Sequence, residues 1–161
     1  MSVKVYAICG FIGSGKTTLA NQIAEHQRAY RFSIDEWMIP LFGEHMPREQ
    51  FDSRLACLST LFDNAALDLL KLGVSVIFDY GFWAFRDRER LRSWAKQHQL
   101  DLEIVYLDVS FERCCQQAKA RNQLNSDLSY QMSDEMLAMF WHQFEVPKST
   151  EHLVSVISSK E

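Results

Sequence analysis

Two hydrophobic rhythms alternate along the chain. Short, nearly continuous apolar runs, Val3–Cys9, Tyr30–Ile34, Val74–Phe78, Leu102–Leu107 and His152–Ile157, read as strands, the pattern of strands covered on both faces. Between them lie segments whose apolar residues recur every three or four positions. Thr17–Arg28 carries Leu19 and Ile23; a long segment carries Phe51, Leu55, Leu58, Phe62, Ala65, Leu69 and Leu72 and is stopped by Gly73, a C-terminal helix signal. Ala84–His98 (Leu91, Trp94, Ala95, His98), Phe111–Asn122 and Met132–Phe144, which ends before Pro147, complete the helices. Strands alternating with helices predict a parallel α/β sandwich. Ser126–Ser133 is the most loop-like stretch, and no repeat, low-complexity run or linker divides residues 1–161, which read as a single domain.

Composition narrows this little. With 161 residues, 47% of them hydrophobic, the chain can bury a proper core. A net charge of −4 and the lack of a Lys/Arg run argue against a long nucleic-acid partner. Met1–Lys4 lead straight into a strand, with no signal peptide and no apolar run of transmembrane length. Cys9, Cys57, Cys114 and Cys115 lack metal-ligand spacing, and the histidines form no HxH or HxxxH pair, so no structural zinc is expected and reduced thiols in a cytoplasmic protein are the simple reading.

The chemistry-bearing stretch is GFIGSGKTT, residues 10–18. Gly10, Gly15, Lys16 and Thr17 match GxxxxGK[ST], between a strand and a helix, which is the context the phosphate-binding loop requires. Gly10, Gly13, Ser14, Gly15 and Thr18 belong to a loop whose backbone N–H groups can converge on an anion at a helix N-terminus. Lys16 supplies a point charge for the β- and γ-phosphates of ATP, and Thr17 a hydroxyl for Mg²⁺.

Further candidates sit at strand ends, where ligands of parallel sheets bind. Asp35 follows the second strand and could accept a proton from an attacking hydroxyl; the alternative is that it caps the next helical turn. Asp79 and Asp108 each end a strand, and either could orient Mg²⁺ through water. Asp79 is preferred because YGFWAF behind it could wall a pocket; packing under the neighbouring helix is the alternative for Tyr80, Phe82, Trp83 and Phe85. Of the arginines at 86, 88, 90 and 92, only Arg88 shares the stripe of Leu91 and Ala95 and should point to the interior or the site. Arg121, at the edge of the polar loop, could close on a transferring phosphoryl group.

Taken in order, GFIGSGKT, FSIDEW, VIFDYGFW and LDVSFERCCQQAKARN resemble the small P-loop kinases of the AAA_33 type, a group related to chloramphenicol phosphotransferase, the zeta toxins and the phage polynucleotide 5′-kinase. The resemblance spans nearly the whole chain. It implies a three-layer, adenylate-kinase-like P-loop fold with sheet order 2-3-1-4-5 and transfer of the ATP γ-phosphate to a hydroxyl. It also implies that Asp35 is the catalytic base, that Asp79 is the acid after the third strand, and that Arg88 and Arg121 are catalytic arginines. Within this frame 37–72 is the acceptor segment and 111–133 the lid. Where the family lid shows a first arginine the chain has Gln117, and FEVPKS resembles a segment near the nucleotide base.

The reading is an ATP-dependent, Mg²⁺-requiring kinase of a small hydroxyl-bearing acceptor, with no membrane and no obligate protein partner evident. Two alternatives remain: a nucleoside or polynucleotide 5′-hydroxyl kinase, and a nucleotide-binding switch or slow ATPase without acceptor.

Overall fold

A computed structural model of the chain describes residues 2–124 and 130–158. Its strands are β1 (Val5–Cys9), β2 (Tyr30–Ser33), β3 (Val76–Gly81), β4 (Leu102–Asp108) and β5 (Val154–Ser158). They form one parallel sheet in the order β2-β3-β1-β4-β5. The helices are α1 (Lys16–Gln27), α2 (Ile34–Phe42), α3 (Arg48–Lys71), α4 (Phe85–Gln97), α5 (Phe111–Gln123) and α6 (Asp134–Trp141).

Successive strand residues face opposite layers. Ile8, Ile77 and Val105 pack beneath Ala20 and the Leu19/Ile23 stripe of α1. Their neighbours Ala7, Cys9, Val76, Phe78, Ile104 and Tyr106 join the larger core on the other face, with Phe62 and Ala66 of α3 and Leu91 and Ala95 of α4. The continuous apolar runs of the sequence are thus explained: both faces are covered, which makes the three-layer arrangement.

Two elements differ from the expectation. β3 starts at Val76 and runs on through Gly81, because Val76 pairs with Val5 and Gly81 with Cys9 across the ladder. Asp79 is therefore inside the strand, opposite Ser33 of β2, and not just beyond it. The helix α2 was not expected from periodicity; Pro40 lies inside it and it is short, ending at Gly43 with φ 81°. Its start is fixed by Ser33, whose hydroxyl accepts from the Glu36 amide at 3.4 Å. Ser33 therefore does the capping that was the alternative role for Asp35. Of the loop-like stretch Ser126–Ser133, residues 126–129 lie outside the described residues.

Arg88 is fully buried and organises the β3–α4 turn. Its guanidinium donates to the Phe82 carbonyl at 2.8 Å and the Trp83 carbonyl at 3.1 Å, and to Glu151 at 2.5 and 3.2 Å. These contacts hold Phe82 at φ 46°, a left-handed conformation costly for an aromatic residue. Arg92, one helical turn on, also turns inward and donates to Glu151 at 3.0 Å, so two of the α4 arginines leave the solvated face. Burial alone would raise the Glu151 carboxyl, but hydrogen bonds from Arg88 and Arg92 outweigh it and hold it below the usual range.

Helix α5 packs directly on the phosphate-loop motif. Gly13 has φ 78°, and a Cβ placed on it would lie 2.2 Å from the Cys114 carbonyl oxygen and 3.0 Å from the Ala118 nitrogen. Gly15 has φ 97° but open space around it.

Gly13→Ala should therefore displace α5 as well as strain the backbone, lowering the thermal midpoint by several degrees, whereas Gly15→Ala meets only the conformational cost of about 1–2 kcal/mol. Equal midpoint shifts would contradict the packing. Glu151→Gln leaves two buried guanidinium groups without a counter-charge and should cost about 3–5 kcal/mol in urea unfolding. The wild type should also lose stability as pH falls below about 4.3, the ordinary glutamate value, because a depressed carboxyl contributes above that value and ceases to as it is protonated. That part of the acid decline should be missing from Glu151→Gln.

Candidate phosphate-transfer site

The loop between β1 and α1 is held from three sides. The Gly10 amide donates to the Gly81 carbonyl at 3.0 Å, the Trp83 indole N–H donates to the Gly10 carbonyl at 2.9 Å, and the Ser14 amide closes onto Phe11 at 3.1 Å. Phe11, in the middle of the loop, is buried among Trp83 (ring centroids 5.4 Å), Trp141 (5.0 Å) and Phe144 (6.2 Å). The loop is therefore rigid before any ligand arrives.

What it offers is a set of unfilled donors. Among the described helices α1 is the one that has neither a side-chain cap nor an acidic residue in its first turn. Its N-terminal amides, with the dipole behind them, are left for an external anion. Ser14 is buried and its hydroxyl has no hydrogen-bond partner among the described residues. A Cβ at Gly10 would come within 2.6 Å of that hydroxyl, so the cradle exists because residue 10 lacks a side chain. Lys16 folds back and donates to the Phe11 carbonyl at 2.9 Å, using one of its three protons.

Three charged side chains, Asp79, Asp35 and Arg121, lie near enough to Lys16 to act on its charge. Burial lowers the Lys16 ammonium, an effect opposed by Asp79 and Asp35 and reinforced by Arg121. Asp35, in the first turn of α2, keeps exposed surface but is flanked by enough protein that desolvation raises its carboxyl; Lys16 and Arg121 pull it back down. Arg121 lies near the end of α5, and its Nε is buried without a hydrogen-bond partner among the described residues. Asp79 is fixed by Arg31 of β2, which donates to one carboxylate oxygen from Nε at 3.0 Å and approaches it with Nη2 at 2.9 Å, while its Nη1 reaches Glu36 at 2.8 Å. Arg31 carried no signal in the sequence; only the β2–β3 register places it against Asp79.

The expected residues thus divide. Gly10, Gly13, Ser14, Gly15, Lys16, Thr17 and Thr18 form the loop and the start of α1, and Asp35, Asp79 and Arg121 gather around Lys16. Asp108 does not: it is exposed and accepts from Tyr106 at 3.3 Å. Arg88 stands apart, its donors taken up by Glu151 and by backbone carbonyls. Of the aromatics after Asp79, Phe82 is buried in the core and Phe85 is exposed. Tyr80 packs on Phe62, Phe78 and Phe82, and Trp83 supports the loop. In FEVPKS, Phe144 joins the Phe11 cluster, while the Glu145 amide donates to Trp83 at 2.9 Å and its carboxylate accepts from the Phe85 amide at 3.2 Å. Gln117 spans the loop and α5: its amide nitrogen donates to the Gly13 carbonyl at 2.5 Å and its oxygen accepts from Arg113 at 3.0 Å.

Among the described residues no cluster of His, Cys, Asp or Glu could hold a metal ion unaided. The chemistry at hand fits a Mg²⁺ that takes most of its ligands from phosphate and water. Thr17 presents an exposed hydroxyl at the head of α1, and Asp79 has a second carboxylate oxygen that Arg31 leaves free. A cleft of about 480 Å³ lined by Val3, Val5, Leu70, Lys71, Leu100 and Asp101 lies at the opposite, amino ends of the strands and brings no such groups together. Among the described residues no helix is long and apolar enough to cross a membrane.

No curated protein matches the chain. Solved structures do. Kti12 from Chaetomium thermophilum in complex with ADP-AlF3 superposes with a TM-score of 0.72 at 16% identity, covering 96% of this chain and 88% of that one. The Mycobacterium tuberculosis APS kinase CysC in complex with AMPPNP and APS gives 0.62 at 18% identity, with 99% and 90% covered. A gluconokinase from Sinorhizobium meliloti gives 0.61 at 15%, with 96% and 82% covered. At these identities the likeness is one of fold, and the fold shared is that of P-loop kinases. The family identified as AAA domain, AAA_33, matches residues 5–147. With its nucleotide loop, its strand order and that match in agreement, the chain belongs to the AAA_33 family of P-loop kinases.

Proposed function

We propose that the protein transfers the γ-phosphoryl group of ATP to a hydroxyl of a small molecule. The observation that carries this reading is the uncapped N-terminus of α1 beside a four-charge cluster in which two cations, Lys16 and Arg121, face one carboxylate fixed by Arg31 and one, Asp35, with no such clamp. A fixed carboxylate suits a structural or metal-orienting role; a carboxylate raised by burial suits proton transfer. The relatives' names support the reaction class: APS kinase and gluconokinase.

In this mechanism the loop amides and Lys16 hold the β- and γ-phosphates, with Thr17 and Asp79 on the metal side. Thr17 and Asp79 would hold a Mg²⁺ ion there, which would supply positive charge to offset that of the phosphates. The acceptor oxygen forms its bond to the γ-phosphorus as the bond to the bridging oxygen of ADP breaks, and its proton passes to Asp35. Arg121 offsets charge on the moving phosphoryl group. The first half of α5, where Cys114 and Ala118 pack on Gly13, acts as a wall of the loop within the proposed lid segment 111–133. The acceptor segment 37–72 lies on α2 and α3, next to Asp35. The free cysteines suit a reducing, cytoplasmic setting.

A slow ATPase without acceptor is the second reading, favoured by Gln117: it is tied to Gly13 and Arg113, so Arg121 stands without the second lid arginine. ADP release measured with MgATP across a panel of alcohols separates the two: stimulation by an acceptor supports the kinase, flat turnover the ATPase. Asp35→Asn should lower transfer by roughly 10²–10⁴ while ATP affinity barely changes. In the wild type kcat/KM for the acceptor should fall with decreasing pH through a midpoint above about 3.9, the ordinary aspartate value, since the base must be ionised and its carboxyl is raised. A normal rate in Asp35→Asn would remove the base from the mechanism.

A further inference from the structure

Gln117, at the position where a lid arginine is expected, touches the phosphate loop directly. Its side-chain nitrogen lies 2.5 Å from the Gly13 carbonyl oxygen, and its side-chain oxygen 3.0 Å from Nε of Arg113. A carbonyl only accepts and a guanidinium only donates, so these two partners fix which end of the amide faces which. One side chain thus bridges the backbone of the loop and the first turn of α5. The helix that carries it is itself anchored. Ser110 caps α5 by accepting from the Arg113 amide at 3.3 Å. Phe111 packs against Phe11 of the loop at 6.2 Å and against Trp141 of α6 at 5.1 Å. Cys114 and Ala118, which flank Gln117 on the helix, are fully buried.

Gly13 needs such a partner. Its φ of 78° is left-handed, and without a Cβ its own preference for any one conformation is weak. The peptide that joins it to Ser14 is held at both poles. The Gly13 carbonyl accepts from Gln117, and the Ser14 amide donates to the Phe11 carbonyl at 3.1 Å. Fixing that plane fixes the direction in which the chain enters Gly15 and the first turn of α1, whose amides have no side-chain cap. An arginine at 117 would serve this less well. It would donate to Gly13 but offer no acceptor to Arg113. Three guanidinium groups would then follow one another along α5 at positions 113, 117 and 121, a spacing at which like charges repel.

We propose that Gln117 is a positioning residue for the phosphate loop: by donating to the Gly13 carbonyl it holds the loop amides in the geometry that receives a nucleoside di- or triphosphate. This rests on the reading of residues 10–18 as the phosphate site. The amide acts through the backbone and does not touch phosphate, so its contribution appears only with ligands that carry phosphate. Glutamine in place of arginine is then a change of task, from charge on the moving group to preorganisation of the loop.

The test measures the affinities of ADP and adenosine for the wild type and two variants by calorimetry. Gln117→Leu keeps a similar bulk and removes both donor and acceptor. Gln117→Asn keeps the amide but is one methylene too short to reach from α5 to Gly13. In both variants the ratio of the adenosine to the ADP dissociation constant should fall by about fivefold, the contribution of one hydrogen bond, with adenosine affinity unchanged. A drop of about threefold or more in Gln117→Leu supports the assignment, and a smaller one overturns it. Thermal unfolding separates positioning from packing: a lowered midpoint with an unchanged ratio makes Gln117 a structural contact only and also overturns the proposal. Full retention of the ratio in Gln117→Asn does the same, since the shorter amide cannot make the bridge. If the wild type itself binds adenosine within about threefold of ADP, the phosphate-site reading fails, and the Gln117 assignment with it.

Discussion

The site depends on holding a lysine ammonium partly out of water at the carboxyl edge of a parallel sheet. Desolvation works against that charge, and Asp79 and Asp35 work for it. Every other arrangement follows from this balance. Arg31 neutralises part of the acidic excess and keeps Asp79 in place; Arg121 brings positive charge back from α5; and α1 contributes uncapped amides where an acidic cap would have cancelled the field. The result is a cluster whose charges are nearly paired without ligand and whose cations gain a partner when phosphate adds its own negative charge.

Rigidity comes from a different source. The loop is buttressed by aromatic rings on one side and by the backbone of α5 on the other, with Gly13 as the contact that admits α5 so closely. The Arg88–Glu151–Arg92 triad pins the turn that carries Phe82 and Trp83, and Trp83 in turn holds the Gly10 carbonyl. A buried ion pair remote from the phosphates thus acts on the loop through two hydrogen bonds and a stacked ring. This is why Arg88, which shares a helix stripe with core residues, belongs to the support of the site and not to its reacting groups.

Much of this was legible in the sequence. Continuous apolar runs gave the strands, because both faces of the sheet are covered, and the spacing of Gly10, Gly15, Lys16 and Thr17 gave the loop. The resemblance supplied the strand order, which periodicity alone cannot give. Illegible were features made by register and packing. Arg31 meets Asp79 only because β2 and β3 pair Ser33 with Asp79. The helix α2 was hidden by its length and by Pro40, and Trp83 looked like a pocket wall because nothing local says that its indole finds the Gly10 carbonyl.

The central claim is that the uncapped α1 terminus and the charges around Lys16 form a phosphate site. It is tested most directly by comparing the affinities of ATP, ADP and adenosine for the unmodified protein in Mg²⁺ by calorimetry. Several charge-assisted hydrogen bonds, each contributing about 1.5–3 kcal/mol, should be lost with the phosphates. The account predicts that adenosine binds at least about a hundredfold more weakly than ADP or ATP; adenosine binding within about threefold of ATP would contradict it.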